Sequence, residues 1–494
     1  MPKSLKQKVI TGLLWRGLER VSTQAGGFII AIILARILPP KDFGTIAIVS
    51  VFIGFANVFV DSGFGTALIQ KKEVDDRDYN SVFYLNLAVA LVMYLICFFA
   101  APMVAAFYKE EVLTEVLRVA ALSLIIGVFS SIQLAVMNRE MNFKLSLNVR
   151  VITLLLTSTT GIALACSGFG VWSLVCSQIT GATATAVMLW FSVSWRPRVM
   201  FSAQSARGLF KFGSKYLFAR MITEFYNNLS TLFIGKCFSL STLAFYSRGF
   251  LFPSYIVCSI SDTINSVLFP ALASCQHDHE QMKGMLRRSV STSTLILFPI
   301  LVGLAVVAKP MIIVLLTEKW LPSTTYLQIS CLTVAFWPVL GINLQAVNAL
   351  GRSDVFLWTE ILNKAVGVAI FFATLPHGMM AVVIGQAAYS VLMCLGFYPW
   401  INHRFLGYSF AEQMGDIAPA LGCALGMGVI VLPFALLVKS QFVLLVCQVA
   451  AGILCYGLLC HFFRLKSLAY VFAVLHEKLP GLSRMFPRTL TRVA

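Results

Sequence analysis

The sequence predicts an all-α, polytopic membrane protein of 14 transmembrane helices, and three observations carry that prediction. Of the 494 residues, 58% are hydrophobic and only 12% are charged, with a mean hydropathy of +0.83, a balance no water-soluble globule shows. Apolar runs of about 20 residues, the length that crosses the hydrocarbon as a helix, recur along the whole chain. Finally, the chain begins a second time: at an offset of about 200, Arg220 falls under Arg20, Lys236 under Arg36 and Ala244 under Gly44 without a gap. Further on the offset drifts, with Asp262 opposite Asp61 and Gln345 opposite Gln133. Two six-helix units built on one plan are the pattern of a transporter with internal repeats.

Taken in order, the expected spans of the first unit are residues 13–38, 43–66, 80–106, 114–136, 148–167 and 170–194. Those of the second are 212–236, 241–268, 290–316, 322–348, 355–375 and 378–400, followed by an extra pair at 415–438 and 441–463. The first run, Thr11 to Leu38, carries Arg16, Glu19 and Arg20 and lacks a small-residue cleavage site, so it reads as a retained helix and not a signal peptide. The split at Ser167-Gly168-Phe169-Gly170 is the least marked boundary. The domain reading is 1–200 for an N-terminal lobe, 201–404 for a C-terminal lobe, 405–464 for accessory helices 13 and 14, and 465–494 for a cytoplasmic tail.

The net charge of +17 does not point to nucleic acid, because the basic residues lie between apolar runs and not on one face of a soluble domain. With the amino terminus inside, 25 of the 38 Lys and Arg fall in inner segments and five in outer loops (Lys41, Lys109, Lys236, Lys319 and Lys439). The excess of Lys and Arg marks the cytoplasmic side, so both termini are expected there. No outer loop is long enough to fold as a catalytic domain. The basic linker Trp195 to Lys215 reads as amphipathic and surface-lying, and SLAYVFAVLHEKL in the tail as one interfacial helix. The twelve cysteines contain no C-x-x-C pair and read as small core residues.

Charges within spans cost roughly 2.5–3.5 kcal/mol each on insertion scales, so each normally faces a partner or a watery cavity. In helix 1, Arg16, Glu19 and Arg20 share one helical face. Helix 7 has Arg220 and Glu224 one turn apart, then Asn227 and Asn228. Glu360 and Lys364 repeat the arrangement in helix 11. Helix 8 carries Arg248 and Asp262, and helix 2 carries Asp61. Arg16, Arg118, Lys309 and Arg150 lie near enough to helix ends to snorkel. His277-Asp278-His279-Glu280 has metal-like residue types but no further ligands nearby, and reads as a solvated loop. The sequence contains no G-x-x-x-x-G-K-[ST] motif, so no ATP site and no cofactor is expected.

The pieces LARILPPKDFGTIAIV, DSGFGTALIQKK, NNLSTLFIGKCFSLSTLAFYSRGF, SVLFPALAS, LLTEKWLPSTTYLQI and NALGRSD together resemble the polysaccharide transporter family of lipid-linked oligosaccharide flippases. That family belongs to the superfamily that also holds the multidrug extruders, and the resemblance is nearest to exporters of colanic-acid-like units. It implies two six-helix lobes in a V plus two accessory helices, opening alternately to either side of the bacterial inner membrane. The implied substrate is an oligosaccharide repeat unit on undecaprenyl diphosphate, delivered outward for polymerisation into exopolysaccharide, capsule or O-antigen. Many relatives have Asp where this chain has Ser230.

On this reading Arg20, Arg220, Arg248 and Lys364 are cationic partners for a diphosphate or acidic sugar, with Asn227 and Asn228 beside them, since guanidinium forks onto phosphate oxygens and keeps its charge when partly buried. Glu19, Glu224, Glu360, Asp61 and Asp262 are the residues for charge compensation or coupling. Proton coupling, sodium coupling and association with a polysaccharide polymerase stay open. A cation-coupled multidrug exporter of the same superfamily is the alternative, but its cavity should be acidic where the charges here lean basic. A membrane polymerase or ligase would need a sizeable outer loop, so no enzymatic activity is expected.

Overall fold

The computed structural model describes residues 3–61, 75–140, 142–200, 202–465 and Leu468, with backbone only for 3–14, 16, 21, 203–216 and 353. DSGFGTALIQKK beyond Asp61 and the expected interfacial helix of the tail lie outside the described residues, as does the side chain of Arg16. Among the described residues there is no strand.

The helices of the first half are α1 (Lys3–Ile37), α2 (Pro40–Asp61), α3 (Asp76–Tyr108), α4 (Val112–Ala120), α5 (Leu122–Arg139), α6 (Phe143–Cys166) and α7 (Val171–Ser192). Next come α8 (Ala203–Cys237), α9 (Leu240–Ser274), α10 (His279–Val306), α11 (Ala308–Leu316), α12 (Ser323–Ala335) and α13 (Trp337–Ala349). The chain continues through α14 (Ser353–Thr374), α15 (Met379–Leu392), α16 (Tyr398–Leu406), α17 (Phe410–Val431), the single turn α18 (Phe434–Leu437) and α19 (Gln441–Phe462). Among the described residues thirteen helical segments are long and apolar enough to cross a membrane. The expected seventh span is α8, which is not among those thirteen.

Several expected spans are broken where the chemistry of proline demands it. Proline lacks the N–H that would bond the carbonyl four residues back. The break at Phe336 stands two residues before Pro338, that at Val307 three before Pro310, and that between α17 and α18 falls at Pro433. A π-helical segment, Met393–Phe397, precedes Pro399. The boundary at Ser167–Gly170 is made by Gly168 and Gly170, whose φ angles of 84° and 55° are left-handed and cost glycine little. Starts are capped in the usual way: Asp75 and Asp78 form a reciprocal capping box on α3, as do Ser409 and Glu412 on α17.

The chain divides into two compact units, Met1–Ala244 and Phe245–Ala494. In the first, α1 packs on α6, α6 on α7, α7 on α5, α5 on α3, and α2 on both α3 and α8. In the second, α10 is the hub, packing against α12, α13 and α17, while α15 joins α12 to α14 and α19 packs on α17 and α11. Phe298, Phe336, Val339, Ile342 and Ile417 form its buried core. The sequence offset reappears in the helices themselves. Both α1 and α8 run for 35 residues, from Lys3 and from Ala203, and each is followed by a two-residue break before the next helix.

Candidate functional site

The intramembrane charges gather on a few helices. In the first unit they lie on α1, α2 and α8. Glu19 pairs with Arg150 of α6 at 3.4 Å; its side chain is only 16% exposed. Arg150 is itself 61% exposed, so it reaches water and also offers Glu19 an opposite charge. Arg20 itself is exposed.

On α8, Glu224 and Arg220 form no ion pair with each other among the described residues, although one turn separates them. The Glu224 carboxylate instead accepts a hydrogen bond of 2.9 Å from the Asn228 amide, which also donates to the Glu224 carbonyl at 3.0 Å. The same oxygen, Oε1, also lies close to α2, where a Cβ on Gly54 would stand 2.9 Å from it. A bare glycine is what lets the acid seat there. Phe55 and Phe225 pack beside it with ring centroids 6.3 Å apart. One turn earlier on α8, Arg220 is exposed and close enough to Asp61 at the end of α2 to attract it electrostatically. Asn227 is exposed on the same helix.

In the second unit, the Arg248 guanidinium lies 5.7 Å from the ring centre of Trp320, a fully buried side chain. The contact is possible because α9 approaches α12 at Gly249, where a Cβ would come within 2.8 Å of the Leu327 nitrogen. A cation over an aromatic face is stabilised by the ring quadrupole, and Trp320 helps to position the Arg248 guanidinium. Asp262 lies exposed further along α9. On α14, Lys364 and Glu360 pair at 3.4 Å, as their spacing predicts, and the Tyr389 hydroxyl donates to the Asn363 carbonyl at 2.7 Å, tying α14 to α15.

Two features were not visible in the sequence reading. Arg287 of α10 forks onto Asp416 of α17 at 2.8 and 3.0 Å, Tyr408 donates to the same carboxylate at 3.0 Å, and Lys283 pairs with Glu412 at 2.9 Å. No local signal announces partners 129 residues apart. The second feature is an apolar cavity of about 600 Å³ between α9, α10, α11, α17 and α19, lined by Ile256, Pro299, Met427, Val449 and Ile453 among others. Gly303, Gly428 and Gly452 widen it, and the fully buried Gln448 has a carboxamide oxygen without a hydrogen-bond partner among the described residues. Asp278, of the metal-like run, caps α10 by accepting from the Gln281 N–H, and among the described residues no cluster of His, Cys, Asp or Glu could hold a metal ion.

Membrane-spanning helices that carry charges within their spans define a multi-pass protein of the transporter type. The chain belongs to the family described as polysaccharide biosynthesis protein, which matches residues 33–325. It is similar to the succinoglycan biosynthesis transport protein ExoT of Rhizobium meliloti (strain 1021), 25% identical over 437 residues that cover 87% of each chain. It is also similar to the lipopolysaccharide biosynthesis protein WzxC of Escherichia coli (strain K12), 25% identical over 404 residues, 80% of this chain and 78% of that one. The fold matches that of the lipid II flippase MurJ in an inward closed conformation, with a TM-score of 0.70, 13% identity, and coverage of 92% of this chain and 99% of MurJ.

Proposed function

We propose that this protein is a flippase that moves undecaprenyl-diphosphate-linked oligosaccharide repeat units from the inner to the outer leaflet of a bacterial inner membrane by alternating access, for assembly of exopolysaccharide, capsule or O-antigen. The observation that carries the reading is that two arginines stand within spans, Arg220 exposed on α8 and Arg248 of α9 over the ring of Trp320. A diphosphate is the ligand whose oxygens match forked guanidinium donors. Arg20 and Lys364 extend the basic character, and Asn227 and Asn228 add neutral polar groups beside it. The apolar cavity of about 600 Å³ suits part of a polyprenyl chain.

Outward movement is favoured by the membrane potential, which contributes about 2.3 kcal/mol per charge per 100 mV to an anionic headgroup. Return of the emptied protein needs its basic charges compensated. Glu224 is suited to that work, because the hydrogen-bond partner of its carboxylate is the neutral Asn228, which leaves it able to take a basic partner in another conformation. Asp61, Asp262, Glu19 and Glu360 are further compensating groups. Proton entry fits this arrangement; a polymerase is the natural recipient of the product.

The test is deletion of the gene with analysis of the lipid-linked glycans. Accumulation of one undecaprenyl-linked unit on the inner leaflet, with loss of surface polymer, is expected. Normal surface polymer together with new sensitivity to cationic drugs would move the reading to a drug exporter. Orientation is checked by reporters active only outside the inner membrane: fusions after Lys41, Lys236 or Lys439 should be active, and fusions after Lys211 or Arg464 silent.

A further inference from the structure

One face of α9 is organised around Tyr255. Arg248, Tyr255 and Asp262 are spaced by seven residues, two helical turns, so they lie in one stripe that drifts only slightly around the axis. Cys258 falls between the last two at helical spacing. From Tyr255 onward this face is open: Tyr255 is 53% exposed, and Cys258 and Asp262 are exposed as well, while Arg248 at its start is half-buried against Trp320. The opposite face, carrying Gly249, Pro253, Val257 and Leu268, is buried in the protein. A helix that buries its apolar side and carries Arg248 and an exposed Asp262 along the other does not turn that side to lipid, where such charges are costly. The ring of Tyr255, lying in that stripe between the two charges, shares its surroundings.

Tyr255 stands near the middle of the 35-residue helix, away from the membrane interfaces where tyrosine normally wets its hydroxyl. That hydroxyl makes no hydrogen bond among the described residues, and the side chain is within electrostatic reach of Arg248. An aromatic ring with a polar tip, exposed on a polar path beside an anion-binding arginine, has the chemistry that recognises a sugar. The apolar C–H face of a pyranose stacks on the ring and its hydroxyl groups meet the tyrosine oxygen. Seven residues rise about 10.5 Å along the axis, about the reach of two sugar rings from a phosphate held at Arg248.

We propose that Tyr255 is the stacking platform for the glycan of the transported unit, and that Cys258 lies in the same glycan path. This rests on the flippase reading above. Two measurements test it. In cells carrying the variants, surface polymer per molecule of membrane-inserted protein should fall about three- to tenfold for Tyr255→Ala, the worth of one aromatic contact, and stay near wild type for Tyr255→Trp and Tyr255→Phe, which keep the ring. Undiminished export by Tyr255→Ala overturns the proposal. In wild-type protein, the water-soluble thiol reagent MTSET should label Cys258, located by mass spectrometry with buried Cys331 and Cys394 as unlabelled references, in cells unable to make the lipid-linked unit. Cells that accumulate the unit should protect it. No labelling in the first cells, or equal labelling in both, overturns the proposal even where Tyr255→Ala fails to insert. The flippase reading fails with a different signature, a deletion strain that accumulates no lipid-linked glycan.

Discussion

The α2–α8 contact and the α10–α17 contact both bring charged side chains together between helices, and they do it in opposite ways. Between α10 and α17 every carboxylate has a fixed cation: Arg287 forks onto Asp416 and Lys283 meets Glu412. The tyrosine hydroxyl of Tyr408 takes up a further lone pair. Such an arrangement holds one geometry and leaves little for a ligand to do. Between α2 and α8, Glu224 is held by an amide and a glycine, while Arg220 is exposed and feels Asp61 through space. Charges not locked in close ion pairs can exchange partners, which a moving substrate requires and a structural clamp does not.

The largest effect that would break this contrast is at the arginines. Arg220→Ala or Arg248→Ala should cost about two charged hydrogen bonds, close to 3 kcal/mol or a hundredfold in export, with membrane abundance near wild type. Lysine at either position should restore only part of the activity because the fork is lost. Full export by both alanine variants would remove them from the site.

Next comes the seat of Glu224. Gly54→Ala sets a carbon 2.9 Å from the tip of the flexible Glu224 side chain, so it should displace the carboxylate and lower export with little change in thermal stability, whereas Gly27→Ala, which meets nothing within 4 Å, should be silent. Equal tolerance at the two glycines would show that the carboxylate is not seated on α2. Proton flux into vesicles on adding lipid-linked substrate sharpens the same point: Glu224→Gln should lose most of it, and Glu360→Gln less, since Glu360 already has Lys364 as its cation. Substrate movement without proton flux in the wild type would reject antiport.

The smallest effect on transport is expected at the clamp. Asp416→Ala should lower the melting temperature of the purified protein by a few degrees, about 1–2 kcal/mol because Arg287 is 41% exposed and partly screened by water. Export per folded molecule should stay within about twofold of wild type. A transport defect as deep as that of Arg220→Ala would mean that α17 takes part in the cycle.

Some pairings were legible because they are local. The i, i+4 spacing of Glu360 and Lys364 predicts the contact that forms. The same spacing misleads for Arg220 and Glu224, because Asn228, one turn beyond on the other side, competes for the carboxylate and Gly54 supplies a berth on α2. Arg150, 61% exposed, lies at a helix end as its position suggests, and only the tertiary structure shows Glu19 of α1 beside it. Tyr255 was invisible for another reason. A single tyrosine in an apolar run is unremarkable until the burial of the opposite face shows which way it looks.

By itself the sequence determined the all-helical membrane fold, the approximate course of its spans, the repeat at an offset of 200 and the positions of the costly charges. These follow from hydropathy and helical period, which act over neighbouring residues. Only the tertiary structure decided which charge meets which, that Arg287 is spent on Asp416 while Arg248 rests on Trp320, and where glycines let helices close up. Those outcomes depend on contacts between segments tens to more than a hundred residues apart, made by packing that no local pattern encodes.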